Sequence, residues 1–227
     1  MRVQRYRARV PPRHVVLLLR LIQARDRARL RRLQRRHPGL AIDPTASTNL
    51  AVAEYHLGEG ARLEIGPHVE VDRREGGLRF HVEDGAHVRI GEGSWIRSHL
   101  QPTIINAFAG ARIDLGPRCW LSGCHLSSKE RLTVGRESMI GPGSRVFDCD
   151  HHDLDEARRE QTQPVEIGDY VWVASDVTVL KGVHIGSHCV IGARSLVTRS
   201  VPPHTLAVGF PARRVGEIGD RSRLPHV

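Results

Sequence analysis

The fold is decided by residues 167–215, which read IGDYVWVASDVTVLKGVHIGSHCVIGARSLVTRSVPPHTLAVGFPARRV. An aliphatic residue recurs there every six positions, and a small or short residue follows four positions after each. The aliphatic positions are Ile167, Val173, Val179, Ile185, Ile191 and Val197, and the small positions are Val171, Val177, Val183, Cys189, Ser195 and Val201. A six-residue period fits neither the 3.6-residue helical turn nor the two-residue alternation of a strand, so it predicts short strands joined by turns. Such repetition is typical of a β-solenoid, whose coils bury their aliphatic rows only by stacking.

The same register appears upstream at Val134, Ile140 and Val146 and at Leu115 with Cys119, with weaker traces before residue 112, and it is interrupted twice. The step from Val146 to Ile167 is not a multiple of six, so a loop is expected at about residues 147–166. Residues 98–111 are also irregular and predict a second excursion or a distorted turn. Loops that leave a rigid scaffold are common places for function.

The positive charge of the chain lies at its N terminus. The formal net charge is +9, yet residues 1–37 alone hold thirteen arginines and a single acid, Asp26. Residues 14–36 predict a basic helix that ends at His37, Pro38 and Gly39. Two interpretations of this helix stay open: it packs on one end of the solenoid and covers the open edge, or it lies on an anionic membrane surface.

The N-terminal apolar run does not predict a membrane span. Residues 15–22 are far shorter than the ~20 apolar residues a span needs, and Arg20 interrupts them. No small-residue cleavage site follows, and the arm lacks aromatic interleaving beyond Tyr6, so neither secretion nor a nucleic-acid partner is expected. The four cysteines form no C-x-x-C pair, and Cys119 and Cys189 fall on inward positions, which predicts reduced, structural thiols. We expect a cytoplasmic protein, free or peripheral to the inner face of the membrane.

These patterns divide the chain into four segments. Residues 1–39 are the basic arm and helix, residues 40–112 form irregular N-terminal coils, residues 113–215 form the regular hexapeptide coils, and residues 216–227 are a C-terminal tail. Only 4% of the residues are aromatic while 22 are glycine. This composition favours one all-β solenoid over two globular cores, because stacked coils admit mainly small and aliphatic side chains.

The quoted stretch resembles the hexapeptide-repeat acyltransferases, and in particular their sugar O-acetyltransferases. It follows that family's V-W-[IV], L-x-G-V, I-G-A-x-S, V-T-[KR], P-P and G-x-P-A-[RK] motifs, and the match covers roughly residues 112–215. The resemblance implies a left-handed parallel β-helix, a homotrimer, and an acyl-CoA-dependent O-acyltransferase. The acyl donor would be acetyl-CoA, with no metal, and the acceptor a hydroxyl of a sugar or polysaccharide precursor.

The family's catalytic histidine lies on the loop after a motif like MIGPGSRVF, where this chain has both His151 and His152. Counting forward from Ile140 favours His151, whereas the D-x-D-x-H-x-L-D pattern of many sugar O-acetyltransferases favours His152, which we prefer. Histidine suits the role because its pKa is near neutral, so it accepts the proton of an attacking hydroxyl. The acidic neighbours are expected to orient the ring and stabilise the imidazolium; they are Asp148, Asp150, Asp153 and Asp155.

The resemblance also implies the residues that hold the donor. The backbone N–H of Ser175 would stabilise the oxyanion of the tetrahedral intermediate. Small residues would admit the pantetheine arm, an indole would wall the site, and cations would face the phosphates. The matching positions are Trp172, Ala193, Thr198, Arg199 and Arg213.

Two other functions remain as alternatives. A non-catalytic scaffold with a lipid-binding basic arm would have no need of the CoA-type motifs near the C terminus. A γ-class carbonic anhydrase would require zinc bound by histidines such as His152, His184 and His188. The spacing of His184 and His188 does not match the H-x4-H pattern of that family, so this alternative is the weaker one.

Overall fold

The structure, a computed structural model, describes residues 12–224. The first eleven residues of the expected arm and residues 225–227 of the expected tail lie outside the described residues. The described part holds helix α1 (Arg13–Arg36), a short 3-10 helix (Thr48–Val52) and 22 strands. The strands are β1 Leu40–Ile42, β2 Glu54–Leu57, β3 Arg62–Ile65, β4 Glu70–Val71, β5 Leu78–Val82, β6 His87–Ile90, β7 Trp95–Arg97, β8 Thr103–Ala107, β9 Arg112–Leu115, β10 Trp120–Ser122, β11 His125–Ser128, β12 Arg131–Val134, β13 Met139–Ile140, β14 Arg145–Phe147, β15 Val165–Ile167, β16 Trp172–Val173, β17 Thr178–Val179, β18 His184–Ile185, β19 Val190–Ile191, β20 Leu196–Val197, β21 Thr205–Gly209 and β22 Ala212–Glu217.

The strands form three parallel sheets that enclose the core of a left-handed β-helix, which confirms the predicted fold class. Sheet 1 runs β1-β3-β6-β9-β12-β15-β18, sheet 2 runs β4-β7-β10-β13-β16-β19-β21, and sheet 3 runs β2-β5-β8-β11-β14-β17-β20. The chain passes from sheet 1 to sheet 2 to sheet 3 in each coil. The last strand, β22, adds to sheet 2 in the antiparallel direction and crosses the expected boundary between residues 215 and 216.

Coil length explains why the repeat is clear only near the C terminus. Val173 pairs with Ile191, so the coil between them consists of three hexads. Leu63 pairs with Val88, and Val88 pairs with Ile113, so each of these early coils is more than one hexad longer. Residues 40–112, expected to be irregular, therefore stack in the same three sheets with longer turns.

The predicted loop is present as the long connection between β14 and β15. Val146 pairs with Val179, whereas Val179 pairs with Val197 in the following coil, so the coil that contains the loop is much the longer of the two. The second predicted excursion was too wide. Strand β8 occupies residues 103–107 within sheet 3, and only residues 98–102 depart from the coil, as a turn tied back by the Thr103 hydroxyl to the Arg97 carbonyl at 2.8 Å.

Inward side chains stack from coil to coil. Leu63, Val88, Ile113, Leu132 and Val165 form one such row along sheet 1, and all are fully buried. Burying a side chain of this size contributes roughly 1.5–3 kcal/mol. Stacking is therefore what holds the coils together.

Small polar residues at the inward corners satisfy the turns. The Ser144 hydroxyl donates to the Ala174 carbonyl at 2.7 Å and accepts from the Val177 N–H at 3.1 Å. The Ser138 hydroxyl makes the same pair of bonds one corner earlier. All four cysteines are buried and unpaired, and burial raises the pKa of Cys119 and of Cys124 to about 12. Thiols held protonated in this way are poor nucleophiles, as expected of structural cysteines.

Helix α1 covers the N-terminal end of the β-helix with its second half. Leu30 is buried in the core cluster, and the Gln34 side chain accepts a hydrogen bond from the Ile42 N–H at 2.9 Å. The single acid of the arm, Asp26, is buried and pairs with Arg73. The first half of α1 projects away from the β-helix, and the side chains of its leucines are 49–61% exposed. Within residues 12–224 no helix is long and apolar enough to cross a membrane.

Candidate functional site

The histidine loop, residues 148–164, is anchored by its first residue. The buried Asp148 carboxylate accepts a hydrogen bond from the Ser128 hydroxyl at 2.6 Å. It also accepts from the backbone N–H groups of Lys129, Glu130 and Arg131, at 2.7, 2.9 and 2.8 Å. Four donors on one carboxylate satisfy the turn between sheets 3 and 1 in the preceding coil. The start of the loop is therefore fixed to the coil rather than free in solvent.

A second set of contacts holds the loop to the coil that follows. Asp150 forms an ion pair with Lys181 and accepts the Gln161 N–H at 3.2 Å. The Gly182 N–H donates to the Gln163 carbonyl at 3.0 Å. The hydrogen bond from Lys181, more than any other contact, holds the pKa of the Asp150 carboxyl below its usual value. The loop thus lies along the 3–1 corner, where the chain passes from sheet 3 to sheet 1.

In the described part of the chain the loop carboxylates make no hydrogen bond to the histidine rings, which corrects the expectation that they orient the imidazole. The pKa of Asp150 is lowered mainly by its hydrogen bond from Lys181 and that of Asp153 mainly by the Glu160 N–H, and the charges of His151 and His152 lower these pKa values further. Asp153 accepts from Arg159 and from the Glu160 N–H, at 2.6 and 2.7 Å, and Asp155 is held by Arg158. No hydrogen bond described for residues 12–224 joins any of the four loop carboxylates to a histidine ring. The acids shape the loop instead, because each is already occupied by loop or coil donors.

The two candidate bases have different surroundings. His151 is half-buried, at a φ of 69°, and its ring lies 5.2 Å from the Phe147 ring, edge-on, and 5.7 Å from the Phe108 ring. His152 is exposed. The His125 ring also lies edge-on to the Phe147 ring, at 5.4 Å, and burial, together with the nearby His151, lowers the pKa of His125. The loop therefore places His151, and not His152, against the outer face of sheet 3.

Three of the expected donor-binding residues share the 2–3 corner, where the chain passes from sheet 2 to sheet 3. Ser175 and Ala193 occupy successive turns there, joined by the Arg194 N–H to the Ser175 carbonyl at 2.9 Å. Arg213 follows on β22, opposite Val208. Within the described chain the Ser175 N–H makes no hydrogen bond. This corner offers an unused backbone donor beside a small residue and a cation.

Two of the remaining three expected donor contacts lie at another corner. Thr198 and Arg199 follow β20 and are exposed at the 3–1 corner, on the same corner as the histidine loop. In a β-helix with three faces, the 2–3 and 3–1 corners are separate edges. One copy of the chain therefore does not bring all of the expected residues together.

Trp172 lies in a groove on the outer face of sheet 2. It is 43% exposed, and the Arg221 guanidinium lies 5.8 Å from its ring. The groove has a volume of about 430 Å³. Its lining includes Arg97, Trp120, Ser122, Met139, Gly141, Pro142, Tyr170, Trp172 and Arg221.

The histidines of the zinc alternative do not converge. His184 contacts Glu166 on sheet 1, with 3.4 Å between Nδ1 and Oε2. His188 stacks between the rings of Tyr170 and His204, at 5.0 and 4.8 Å. Among the residues that the structure describes, no group of three His, Cys, Asp or Glu is arranged to hold a metal ion.

Sequence reasoning missed the anchoring role of Asp148 and the groove residues Arg97 and Trp120. Trp95 and Trp120 are one early coil apart in sequence, as are Val88 and Ile113, which pair in sheet 1. This equal spacing could have predicted that the two tryptophans lie side by side. It is hidden because the six-residue period does not divide the longer coils. The contact between His151 and Phe108 gave no such signal, because the two residues are distant in sequence and only folding brings them together.

Known proteins with similar sequences and structures share this architecture. Residues 164–199 match the family model for the bacterial transferase hexapeptide (six repeats). The chain is 30% identical over 159 residues to galactoside O-acetyltransferase of Escherichia coli (strain K12), covering 68% of this chain and 73% of that protein. It is 32% identical over 114 residues to the putative lipopolysaccharide biosynthesis O-acetyl transferase WbbJ of the same organism, covering 44% of this chain and 57% of that protein.

A solved structure extends the likeness to the whole fold. The polySia-specific acetyltransferase NeuO superposes with a TM-score of 0.58 at 25% sequence identity, covering 84% of this chain and 93% of that chain. The sequence identity over two thirds of the chain and the superposition of the fold together show the family. The chain therefore belongs to the hexapeptide-repeat acetyltransferases and is an acetyltransferase.

Proposed function

We propose that this protein transfers the acetyl group of acetyl-CoA directly to a hydroxyl of a sugar, in the synthesis of a surface polysaccharide or glycoconjugate. The observation that carries the proposal is the unused Ser175 N–H at the 2–3 corner, beside Ala193 and Arg213. An unpaired backbone donor on a rigid turn is suited to a developing oxyanion, because it needs no reorganisation during the reaction. The relatives that act on galactosides and lipopolysaccharide support a sugar as the acceptor.

The reaction needs one base and one oxyanion donor. The imidazole takes the proton of the sugar hydroxyl as its oxygen attacks the thioester carbonyl carbon. The Ser175 N–H donates to the oxygen of the tetrahedral intermediate. The C–S bond then breaks, and the imidazolium returns its proton to the leaving CoA thiolate, so no covalent enzyme intermediate forms.

We infer that His151 is the base, rather than His152, which the D-x-D-x-H pattern favours. The ring of His151 is half-buried against Phe108 and Phe147, whereas His152 projects from the loop into solvent. A catalytic group must be held within a fraction of an ångström of its productive position. Packing against Phe108 and Phe147 holds the His151 ring in place. The exposed His152 side chain has no such support.

The donor would lie along the C-terminal coils. Ala193 leaves room for the pantetheine arm at the 2–3 corner, and the exposed Thr198, Arg199 and Arg213 face solvent, where a nucleotide phosphate is reachable. Trp172 would wall the acceptor side of the thioester. These roles follow the family resemblance, and the positions of the residues are compatible with them.

The proposed enzyme is a homotrimer. The base lies at the 3–1 corner and the Ser175 N–H at the 2–3 corner, so a complete site requires the loop of one copy to meet the coils of another. Cyclic closure of three copies makes three equivalent sites of this kind.

We also propose that the enzyme is cytoplasmic and that α1 lies on the inner face of an anionic membrane. The first half of this helix exposes Leu17, Leu18, Leu19 and Leu21 beside arginines. The first turn of the helix holds no acidic residue. Basic helices with exposed leucines bind anionic lipid through both charge and apolar burial. Co-sedimentation with phosphatidylglycerol vesicles is expected to exceed that with phosphatidylcholine vesicles, and Leu17→Asp with Leu21→Asp is expected to abolish the difference.

The test of function is release of CoA thiol from acetyl-CoA across a panel of sugars, nucleotide sugars, amino sugars and lipid-linked glycans. Turnover with hydroxyl acceptors is the expected result. Turnover with amino sugars alone would replace O-acetylation by N-acetylation. If calorimetry finds no binding of acetyl-CoA, the protein is a non-catalytic scaffold.

A further inference from the structure

The outer face of sheet 2 carries a ladder of indoles. Trp95, Trp120, Met139 and Trp172 occupy the same position on four successive strands, so their side chains line up along the solenoid. The rings of Trp95 and Trp120 are stacked, with centroids 5.0 Å apart. With about 4.8 Å between strands, the ladder is about 14 Å long, which is longer than one sugar ring. Two of the three indoles are exposed, Trp95 at 40% and Trp172 at 43%, and an exposed indole offers an apolar ring with a polar N–H edge, a surface that suits the C–H faces of sugar rings.

Arg97 gives this ladder a positive charge. Its guanidinium lies 5.0 Å from the Trp95 ring and 5.6 Å from the Trp120 ring. Its Nε is buried and has no hydrogen-bond partner, and Arg97 has no carboxylate partner among residues 12–224. At the other end of the groove Arg221 lies over Trp172. The acid of the lining, Glu137, is already paired with Arg118, so the groove is cationic in balance.

The groove leads to the expected reaction centre. Gly141 and Pro142 form its edge at the 2–3 corner. A Cβ on Gly141 would stand 3.0 Å from the Ser175 nitrogen, so that edge lies directly beside the unused N–H. The expected donor residues continue from there toward the C terminus, whereas the indole ladder runs toward the N terminus. The ladder is therefore placed to hold the acceptor and not the donor.

We propose that this groove binds an acidic glycan as the acceptor, with sugar rings stacked on the indoles and an anionic substituent held by Arg97. The inference rests on the proposed sugar acetyltransferase function and specifies its substrate class. A planar guanidinium with free donors binds a carboxylate through two parallel hydrogen bonds, which an uncharged sugar does not reproduce. Arg97 is thus a specificity-determining residue for acidic over neutral acceptors.

Intrinsic tryptophan fluorescence tests binding without any turnover, because all three tryptophans of the chain lie on the indole ladder and two of them, Trp120 and Trp172, line the groove. The full-length protein is titrated with oligosaccharides of a hexuronic acid, with the same oligosaccharides after reduction of the carboxyl groups, with sulfated neutral oligosaccharides, and with CoA. Saturable quenching by the hexuronate is expected, with about tenfold or weaker affinity for the reduced form. Tighter binding of the sulfated form would assign the groove to sulfate rather than carboxylate glycans and overturn the carboxylate assignment.

Variants connect the selectivity to Arg97. Arg97→Gln is expected to remove the preference for the acidic glycan, and Arg97→Lys to retain part of it. Arg62→Gln, on the outer face of sheet 1, is the matched control and should bind as the wild type does. Thermal melting of each variant shows that the fold is retained. Equal affinity for acidic and reduced glycans, or quenching by CoA alone, would overturn the inference.

The two proposals fail in different ways. Suppose that the wild type acetylates sugars without preferring acidic ones and that Arg97→Gln acetylates neutral sugars equally well. The acidic-acceptor inference then fails, while the acetyltransferase function stands. If the acidic glycan binds selectively but no sugar is ever acetylated, the groove assignment stands and the proposed function fails.

Discussion

His151 and His152 are adjacent in sequence, but their side chains have different surroundings. The ring of His151 packs on two phenylalanines, and that of His152 faces solvent. Packing fixes the position and direction of an imidazole, and a base works only from a fixed position. The choice between the two residues can therefore be made by measuring the chemical step.

Replacing His151 with alanine is expected to lower kcat by a factor of about 10² to 10⁴, because the attacking hydroxyl loses its base. The apparent Kd for acetyl-CoA should stay within about twofold, since the imidazole does not hold the donor. His152→Ala is the matched control and should retain most of the activity. Steady-state kinetics of thiol release, with calorimetry for the donor, measure both. Loss of activity in His152→Ala alone would return the role to His152.

The buried Asp148 carboxylate accepts the hydrogen bonds of a whole turn. Asp148→Asn is expected to reduce the free energy of unfolding by about 2–4 kcal/mol, because a carboxamide cannot accept from all four donors. Urea denaturation measures the loss. Asp153→Asn, on the exposed part of the loop, should leave the urea midpoint unchanged. Equal effects of the two substitutions would contradict the anchoring role.

At the scale of elements, the histidine loop is held at its two ends by different coils. Asp148 binds the coil before it, and Asp150 binds Lys181 in the coil after it. A long connection that is tied at both ends keeps its tip in place at a modest entropic cost. The geometry of the candidate base therefore depends on these ties.

The Asp150 tie predicts how the order of the loop depends on pH. The pKa of Asp150 is depressed in the folded protein, chiefly by the Lys181 hydrogen bond, so its contribution is fully present above the unfolded pKa of about 3.9. It is lost as pH falls through the lower, folded pKa. Amide hydrogens of residues 148–164 should therefore be protected from exchange between pH 8 and 5, and this protection should fall progressively as the pH drops below about 4. Asp150→Asn should show the deprotected pattern at every pH.

Helix α1 combines two surfaces in one element. Its second half covers the end of the solenoid through Leu30, and its first half exposes leucines. Leu30→Ala is expected to reduce the free energy of unfolding by about 2–4 kcal/mol, because it opens a cavity in the cap. Leu19→Ala, at a side chain that is 49% exposed, is the control, with less than about 0.5 kcal/mol expected by urea denaturation. A similar loss at both sites would mean that the helix does not cap the core.

At the scale of the whole molecule, the expected site residues occupy two separate corners of the β-helix. Ser175, Ala193 and Arg213 share one corner, while the histidine loop occupies the next. A rigid solenoid cannot fold one corner over the other, because the stacked core resists compression. Assembly of several copies is therefore the proposed way to complete the site.

Light scattering is expected to give three times the 25.4 kDa mass of the chain. Complementation tests whether the sites are shared. His151→Ala and Ala193→Trp are each expected to be inactive alone, and coexpressed mixed trimers should recover a measurable fraction of activity, because some sites then combine an intact histidine with an intact corner. A mixture that stays inactive, or a monomeric mass, would contradict the shared site.

The sequence by itself determined the solenoid, its loop and the acetyltransferase family. Each hexad from Ile167 onward indicates locally which side chain points inward, so the solenoid could be derived from the spacing, whereas its left hand was implied by the family resemblance. The longer coils before residue 112 were harder to recognise, since the additional residues in each coil break the six-residue period while sheet pairing keeps them in register.

The tertiary structure alone decided which histidine packs on the coils, what the loop acids bind, and which residues share a corner. Phe108 and His151 are distant in sequence and meet only because β8 and β14 lie on either side of β11. The indole ladder likewise depends on the pairing of strands from coils of unequal length. Local spacing determines the direction of a side chain, whereas its neighbours depend on how many residues each coil consumes before the chain returns to the same face.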